Sequence, residues 1–120
     1  SPTIVAKDGK AVLVLGSPGA IRIVATVLTL LVDLLDFGMT ADAANQAPRF
    51  LCQKNDSVLP LEGRFPPALR DELARRGHRL QLYGDFDLFF GGAQVIRVDR
   101  ARKLVEGSAD PRRGGTAAGY

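Results

Sequence analysis

The sequence is poor in the residues that build metal and redox chemistry: it has one cysteine, one histidine, one methionine and no tryptophan. With Cys52 alone there is no intrachain disulfide framework and no multi-cysteine zinc site. His78, standing alone, argues against a histidine metal cluster or a His-based triad within the chain. Long apolar runs are missing too. The longest, Ile23 to Val32, has ten residues between Arg22 and Asp33, well short of the roughly 20 that a bilayer requires. It reads as a buried helix, so no membrane insertion is expected. Nor does one sign of charge dominate. Sixteen Lys and Arg face 13 Asp and Glu, for a net charge of +3, with five basic and six acidic residues in 1–63 and eleven and seven in 64–120. That tilt is too mild to indicate a nucleic-acid partner. No signal-peptide pattern stands at Ser1-Pro2-Thr3, and no initiator methionine does either. The expectation is that something precedes Ser1.

What is present suffices for a core. Apolar residues make up 46% of the 120, mean hydropathy is near zero, and the length suits one domain or a piece of a larger one. Thr3 to Val5 and Ala11 to Leu15 are β-rich runs joined by Lys7-Asp8-Gly9-Lys10, a hairpin signal. Gly16-Ser17-Pro18-Gly19 leads into a helix over Ala20 to Phe37, apolar on most faces and stopped by Gly38, which predicts packing on more than one side. Thr40 to Ala44 starts a short helix that Pro48 ends. Leu59 and Leu61 flank Pro60, which allows an edge strand. Pro66-Pro67 opens a helix over Ala68 to Arg76 with Gly77 as its stop. Leu80 to Leu82, Ala93 to Val98 and Leu104 to Gly107 read as strands, giving a mixed unit with antiparallel pairing. The tail from Asp110 to Tyr120 has no periodicity and reads as a loop that needs a surface to lie on.

The best chemical candidate is the corner from Leu15 to Ile23. Ser17 can cap the helix, Pro18 suits its first position, and Gly19 and Ala20 then hold unpaired backbone donors. Two such N–H groups facing one spot can bind an anion or stabilise a developing oxyanion. An ordinary capped helix start is the bland alternative. Asp33 and Asp36 share a helical face, which suits acid–base work or a wet surface. His78 reads as a surface residue, and Cys52 as a small, partly buried apolar side chain. Arg64, Arg70, Arg75, Arg76 and Arg79 lie among Asp71 and Glu72 without interleaved aromatics, which favours a solvated face over an RNA surface. Asp110-Pro111-Arg112-Arg113-Gly114-Gly115 could hold an anion through its arginines, but reads more readily as a solvated turn.

Taken in order, Ser1-Pro2-Thr3-Ile4-Val5, Lys7-Asp8-Gly9-Lys10, Gly16-Ser17-Pro18-Gly19, Leu35-Asp36-Phe37-Gly38-Met39, Ala47-Pro48-Arg49-Phe50, Asp110 to Gly115 and Gly119-Tyr120 resemble the C-terminal part of the small subunit of γ-glutamyltranspeptidases. The resemblance runs essentially the whole length, so residues 1–120 are expected to be one fragment of that subunit. It implies an α+β fold, part of the four-layer αββα sandwich of N-terminal-nucleophile hydrolases. It also implies a precursor that cleaves itself, and transfer or hydrolysis of γ-glutamyl groups of glutathione-like substrates without a metal or organic cofactor. The nucleophilic threonine lies upstream of Ser1 in the family, and Thr3 is a strand residue rather than that nucleophile. Gly19 and Ala20 would supply the oxyanion-hole N–H groups, with Ser17 and Pro18 in a substrate-binding loop. The implied partners are the large subunit and the N-terminal part of the small subunit, and the implied location is periplasmic or secreted, with a cytoplasmic one open. The family has Gly-Gly where this chain has Gly19-Ala20, so the corner is expected to work only if Ala20 is helical, since alanine resists glycine's positive φ. A related acylase or amidohydrolase, or a noncatalytic anion-binding module, are the rival readings.

Overall fold

The Asp8-Gly9 turn joins β1 (Pro2–Lys7) to β2 (Lys10–Gly16) in the computed structural model, which describes residues 2–54 and 57–119. Ser1 and Tyr120, the two ends of the sequence motifs, lie outside the described residues. Asp8 and Gly9 both take positive φ, 52° and 70°, as the tight hairpin turn that matches strand twist demands. Further along, β5 (Gln94–Asp99) and β6 (Leu104–Ala109) extend this hairpin into an antiparallel sheet of order β1-β2-β5-β6.

A second, two-stranded sheet pairs β3 (Leu59–Glu62) with β4 (Leu80–Tyr83). This pair is parallel, which corrects the expectation of antiparallel pairing. The cause is the connection: α3 (Pro67–Arg75) occupies it and carries the chain back to the end where β3 began. Pro60 fits in β3 because its carbonyl accepts from Leu51 N, while its missing N–H is asked for nothing.

Strand alternation decides where the core sits. Leu13, Leu15 and Val95 point to one face of the large sheet, where α1 (Ile23–Leu35) and α2 (Ala41–Gln46) cover them with Leu30, Leu34, Ala41 and Ala44. The other face presents Ile4, Val14 and Ile96 in one cross-strand row, and Ile4 and Ile96 are exposed. The outward side of the first helical segment is also bare, with Ile21, Val24 and Leu28 exposed. The expectation that this helix is packed on more than one side is therefore not met by the chain's own residues. The α+β class holds, and the four-stranded sheet carries a helix layer on one face.

Helix α2 starts where local chemistry says it should. Thr40 takes an extended conformation and its hydroxyl accepts from Ala43 N at 3.2 Å. We expect Thr40→Ala to cost about 1 kcal/mol in denaturant unfolding of the whole protein. An unchanged midpoint would mean that α2 is held by packing alone.

Candidate functional site

The corner between β2 and α1 differs in detail from the sequence expectation. Ser17 does not cap a helix, and Pro18 is not in one. The chain passes through Gly19 at φ 141° into a 3₁₀ turn, Ala20–Arg22, and only then into α1, whose start has no side-chain cap. Ala20 is not α-helical: its φ is 51°, in the left-handed region. Alanine thus occupies the conformation that was expected to require glycine, at a cost on the order of 1 kcal/mol. Arg22 N donates to Gly19 O at 3.0 Å, closing the turn. Among the described residues, the N–H groups of Gly19 and Ala20 meet no acceptor. An open cleft of about 510 Å³ adjoins the corner, with Val14, Gly16, Ser17, Pro18, Ile23 and Ile96 among its lining residues.

Behind the corner runs a strap, residues 90–93. Ser17 is 3% exposed; its hydroxyl donates to Pro18 O at 2.8 Å and accepts from Gly92 N at 3.3 Å. Thr26 on α1 donates to Phe90 O at 3.1 Å. Gly91 has φ 84°, and a Cβ placed on it would stand 2.7 Å from both Pro18 O and Ser17 Oγ. No side chain fits between strap and corner.

The strap in turn rests on a buried ionic cluster. Glu62, at the end of β3, receives Arg112 Nε and Nη2 at 2.7 Å each, Arg64 Nη2 at 2.8 Å, and the backbone N–H groups of Arg49 and Asp87 at 3.1 Å. Asp110 pairs with Arg49 and Arg112 and accepts from Ala93 N at 2.8 Å. Asn45 donates to Ser108 Oγ at 3.0 Å and accepts from Arg49. Three guanidinium groups therefore share two carboxylates, and Glu62 and Asp110 have no solvent exposure. The reading of Asp110 to Gly115 as a solvated turn is overturned at Asp110 and Arg112, which are buried, while Pro111 and Arg113 to Gly115 are exposed. Pro111–Arg113 forms a 3₁₀ turn capped by Asp110, and Arg112 points inward because only there do its five donors find acceptors. Sequence reasoning missed Asn45 and Glu62 altogether; the one signal for Glu62 is a lone carboxylate ending the otherwise apolar run Leu59-Pro60-Leu61.

Burial alone would raise the Glu62 pKa, but the Arg112 bonds and charge, the Arg49 N–H and Arg64 outweigh it, and the carboxyl is held below its ordinary value of 4.5. Burial raises the Asp33 carboxyl against the pull of Arg49. The two act oppositely. A lowered Glu62 stabilises the fold above its unfolded pKa, and this stability is lost as pH falls from about 4.5 through the lower folded value. We expect the thermal midpoint of the wild type to fall below pH 4.5, and Glu62→Gln to flatten that fall. An identical slope in the variant would assign acid lability to other carboxylates.

The remaining candidates separate cleanly. Asp36 lies just beyond α1 and is exposed, while Asp33 is half-buried on the helix. His78 is exposed, as expected; Cys52 is exposed, not partly buried, because Leu51 beside it takes the inward position. Arg75 and Arg76 pair with Glu72 on a solvated face, whereas Arg64 turns into the buried cluster. Among the described residues no group of His, Cys, Asp and Glu could hold a metal ion, and no helix is long and apolar enough to cross a membrane.

The family model described as Gamma-glutamyltranspeptidase matches residues 1–120. The glutathione hydrolase proenzyme of Escherichia coli strain K12 is 40% identical over 112 residues, covering 93% of this chain and 18% of that protein. The oxamate amidohydrolase proenzyme of Klebsiella pneumoniae is 37% identical over 118 residues, covering 94% of this chain and 22% of that protein. The crystal structure of Helicobacter pylori gamma-glutamyltranspeptidase superposes with a TM-score of 0.83 at 36% identity, over 93% of this chain and 60% of that one. The chain spans about a fifth of the length of the curated relatives it matches.

Proposed function

The chain belongs to the gamma-glutamyltranspeptidase family, and on that premise we propose that it is the C-terminal part of the small subunit of a self-cleaving acyl-transfer enzyme, to which it contributes the oxyanion corner but not the nucleophile. In this reading residues 1–120 are one fragment that docks on the large subunit and on the N-terminal part of the small subunit. The bare sheet face around Ile4, Val14 and Ile96 is the surface that invites a second sheet.

One observation carries the proposal: the adjacent N–H groups of Gly19 and Ala20 meet no acceptor among the described residues, in a corner whose flanking residues Pro18 and Ile23 line an open cleft. Attack of a hydroxyl on an amide carbonyl places negative charge on the carbonyl oxygen, and the amine leaves when that tetrahedral intermediate collapses. Fixed donors aimed at the oxygen lower the barrier without reorganising during the reaction. The attacking hydroxyl belongs to a threonine outside this chain whose own α-amine accepts the proton. Ser17 and Pro18 form the loop that carries the two donors, and no metal or organic cofactor is called for.

The acyl group is γ-glutamyl, as the name of the Escherichia coli relative suggests through glutathione. A second reading, an amidohydrolase acting on a smaller acyl group, draws on the Klebsiella pneumoniae relative at nearly the same identity. Turnover of γ-glutamyl-p-nitroanilide and of oxamate by the whole protein separates the two. Expected is release of nitroaniline and no oxamate hydrolysis, with two subunits in the intact mass spectrum; hydrolysis of oxamate alone overturns the γ-glutamyl reading, and a single uncut chain overturns the self-cleaving one.

A further inference from the structure

We propose that Ser17 is a positioning residue which sets the direction of the Gly19 donor through the Pro18–Gly19 peptide plane, and that Gly91 is glycine because the strap must close on that same plane. The proposal rests on the oxyanion reading of the corner.

A trans peptide is one rigid unit whose C=O and N–H point in opposite directions, and no described peptide bond here is cis. Whatever holds Pro18 C=O therefore aims Gly19 N–H to the opposite side. The Ser17 hydroxyl grips that carbonyl at 2.8 Å. Its own position is fixed in turn, because Gly92 N donates to it at 3.3 Å. Gly91 backs the same carbonyl from the strap, where an added Cβ would lie 2.7 Å from Pro18 O, too close for any real contact. The strap cannot yield freely: Phe90 O is held by Thr26 and Arg49, and Ala93 N by buried Asp110. Corner, strap and ionic cluster thus form one chain of contacts that ends at the Pro18–Gly19 plane. Ser17 is 3% exposed and its hydroxyl is engaged by Pro18 O and Gly92 N, so it acts through the backbone.

A donor turned away from the developing oxyanion weakens the transition state and leaves ground-state binding nearly alone. The expected signature is therefore a fall in kcat at nearly constant KM. The test uses the whole enzyme on whichever of γ-glutamyl-p-nitroanilide and oxamate it turns over, with thermal unfolding of each variant alongside. Ser17→Ala should lower kcat about tenfold or more, with KM within twofold and the protein folded. Gly91→Ala should lower kcat at least as far; if that variant does not fold, Ser17→Ala alone decides. Ala20→Pro reports on the corner itself. If Ala20→Pro abolishes turnover while Ser17→Ala keeps kcat within twofold, the positioning role is wrong and the corner reading stands. A rise in KM at constant kcat in Ser17→Ala would make Ser17 a substrate contact, again overturning the proposal. If Ala20→Pro retains full activity, both readings fall together.

Discussion

Glu62→Gln is expected to destabilise the whole protein by about 3–5 kcal/mol, the range for removing one partner of a buried ion pair. The carboxylate has no solvent exposure and accepts from Arg112, Arg64 and two backbone N–H groups. An amide of the same shape keeps one acceptor oxygen but aims an NH₂ group at guanidinium donors. Arg112 then stays buried with Asp110 as its only anionic partner. Denaturant unfolding of wild type and variant measures the difference. A change below about 1 kcal/mol would mean that water reaches the cluster and screens it. The double variant Glu62→Leu with Arg112→Met is the informative companion, because it removes both charges. If the single variant's cost comes from stranding a charge, the double variant should cost less than the sum of its parts. Strict additivity would refute that origin.

Ala20→Pro is expected to lower kcat by at least 10²–10³-fold, the loss that follows removal of one oxyanion donor. The structure makes this substitution harsher than sequence reasoning suggests. A proline in a first helical turn is tolerated, but Ala20 sits at φ 51° and proline is locked near −65°. The variant therefore loses the N–H and reshapes the turn as well. Ala20→Gly is the control that separates chemistry from shape. Glycine accepts the left-handed conformation without penalty, so the geometry should persist, kcat should stay within about threefold, and stability should rise by up to about 1 kcal/mol. Activity of Ala20→Pro within threefold of wild type would remove the corner from the mechanism. A tenfold gain in Ala20→Gly would show instead that alanine holds the corner away from its best geometry.

Whatever depends on neighbours along the chain was legible in the residues alone. Asp8-Gly9 specified the hairpin because few other pairs accept two consecutive positive φ values. Thr40 specified the start of α2, and Pro66-Pro67 with Gly77 bounded α3, through capping and proline chemistry that acts within one turn. The ordered motifs carried the family. The rest came from how distant segments pack together. Ala20 takes a conformation its own type disfavours, with φ at 51° in the turn that Arg22 N closes on Gly19 O. Glu62 and Arg112 meet across 50 positions, and Asn45 and Arg112 across 67. A charged residue reads as a surface residue until its partners are known, since burial costs several kcal/mol unless an opposite charge and enough donors wait at the same point. Their arrival there depends on how β3, α2 and the C-terminal turn converge, and no spacing along the chain encodes that convergence.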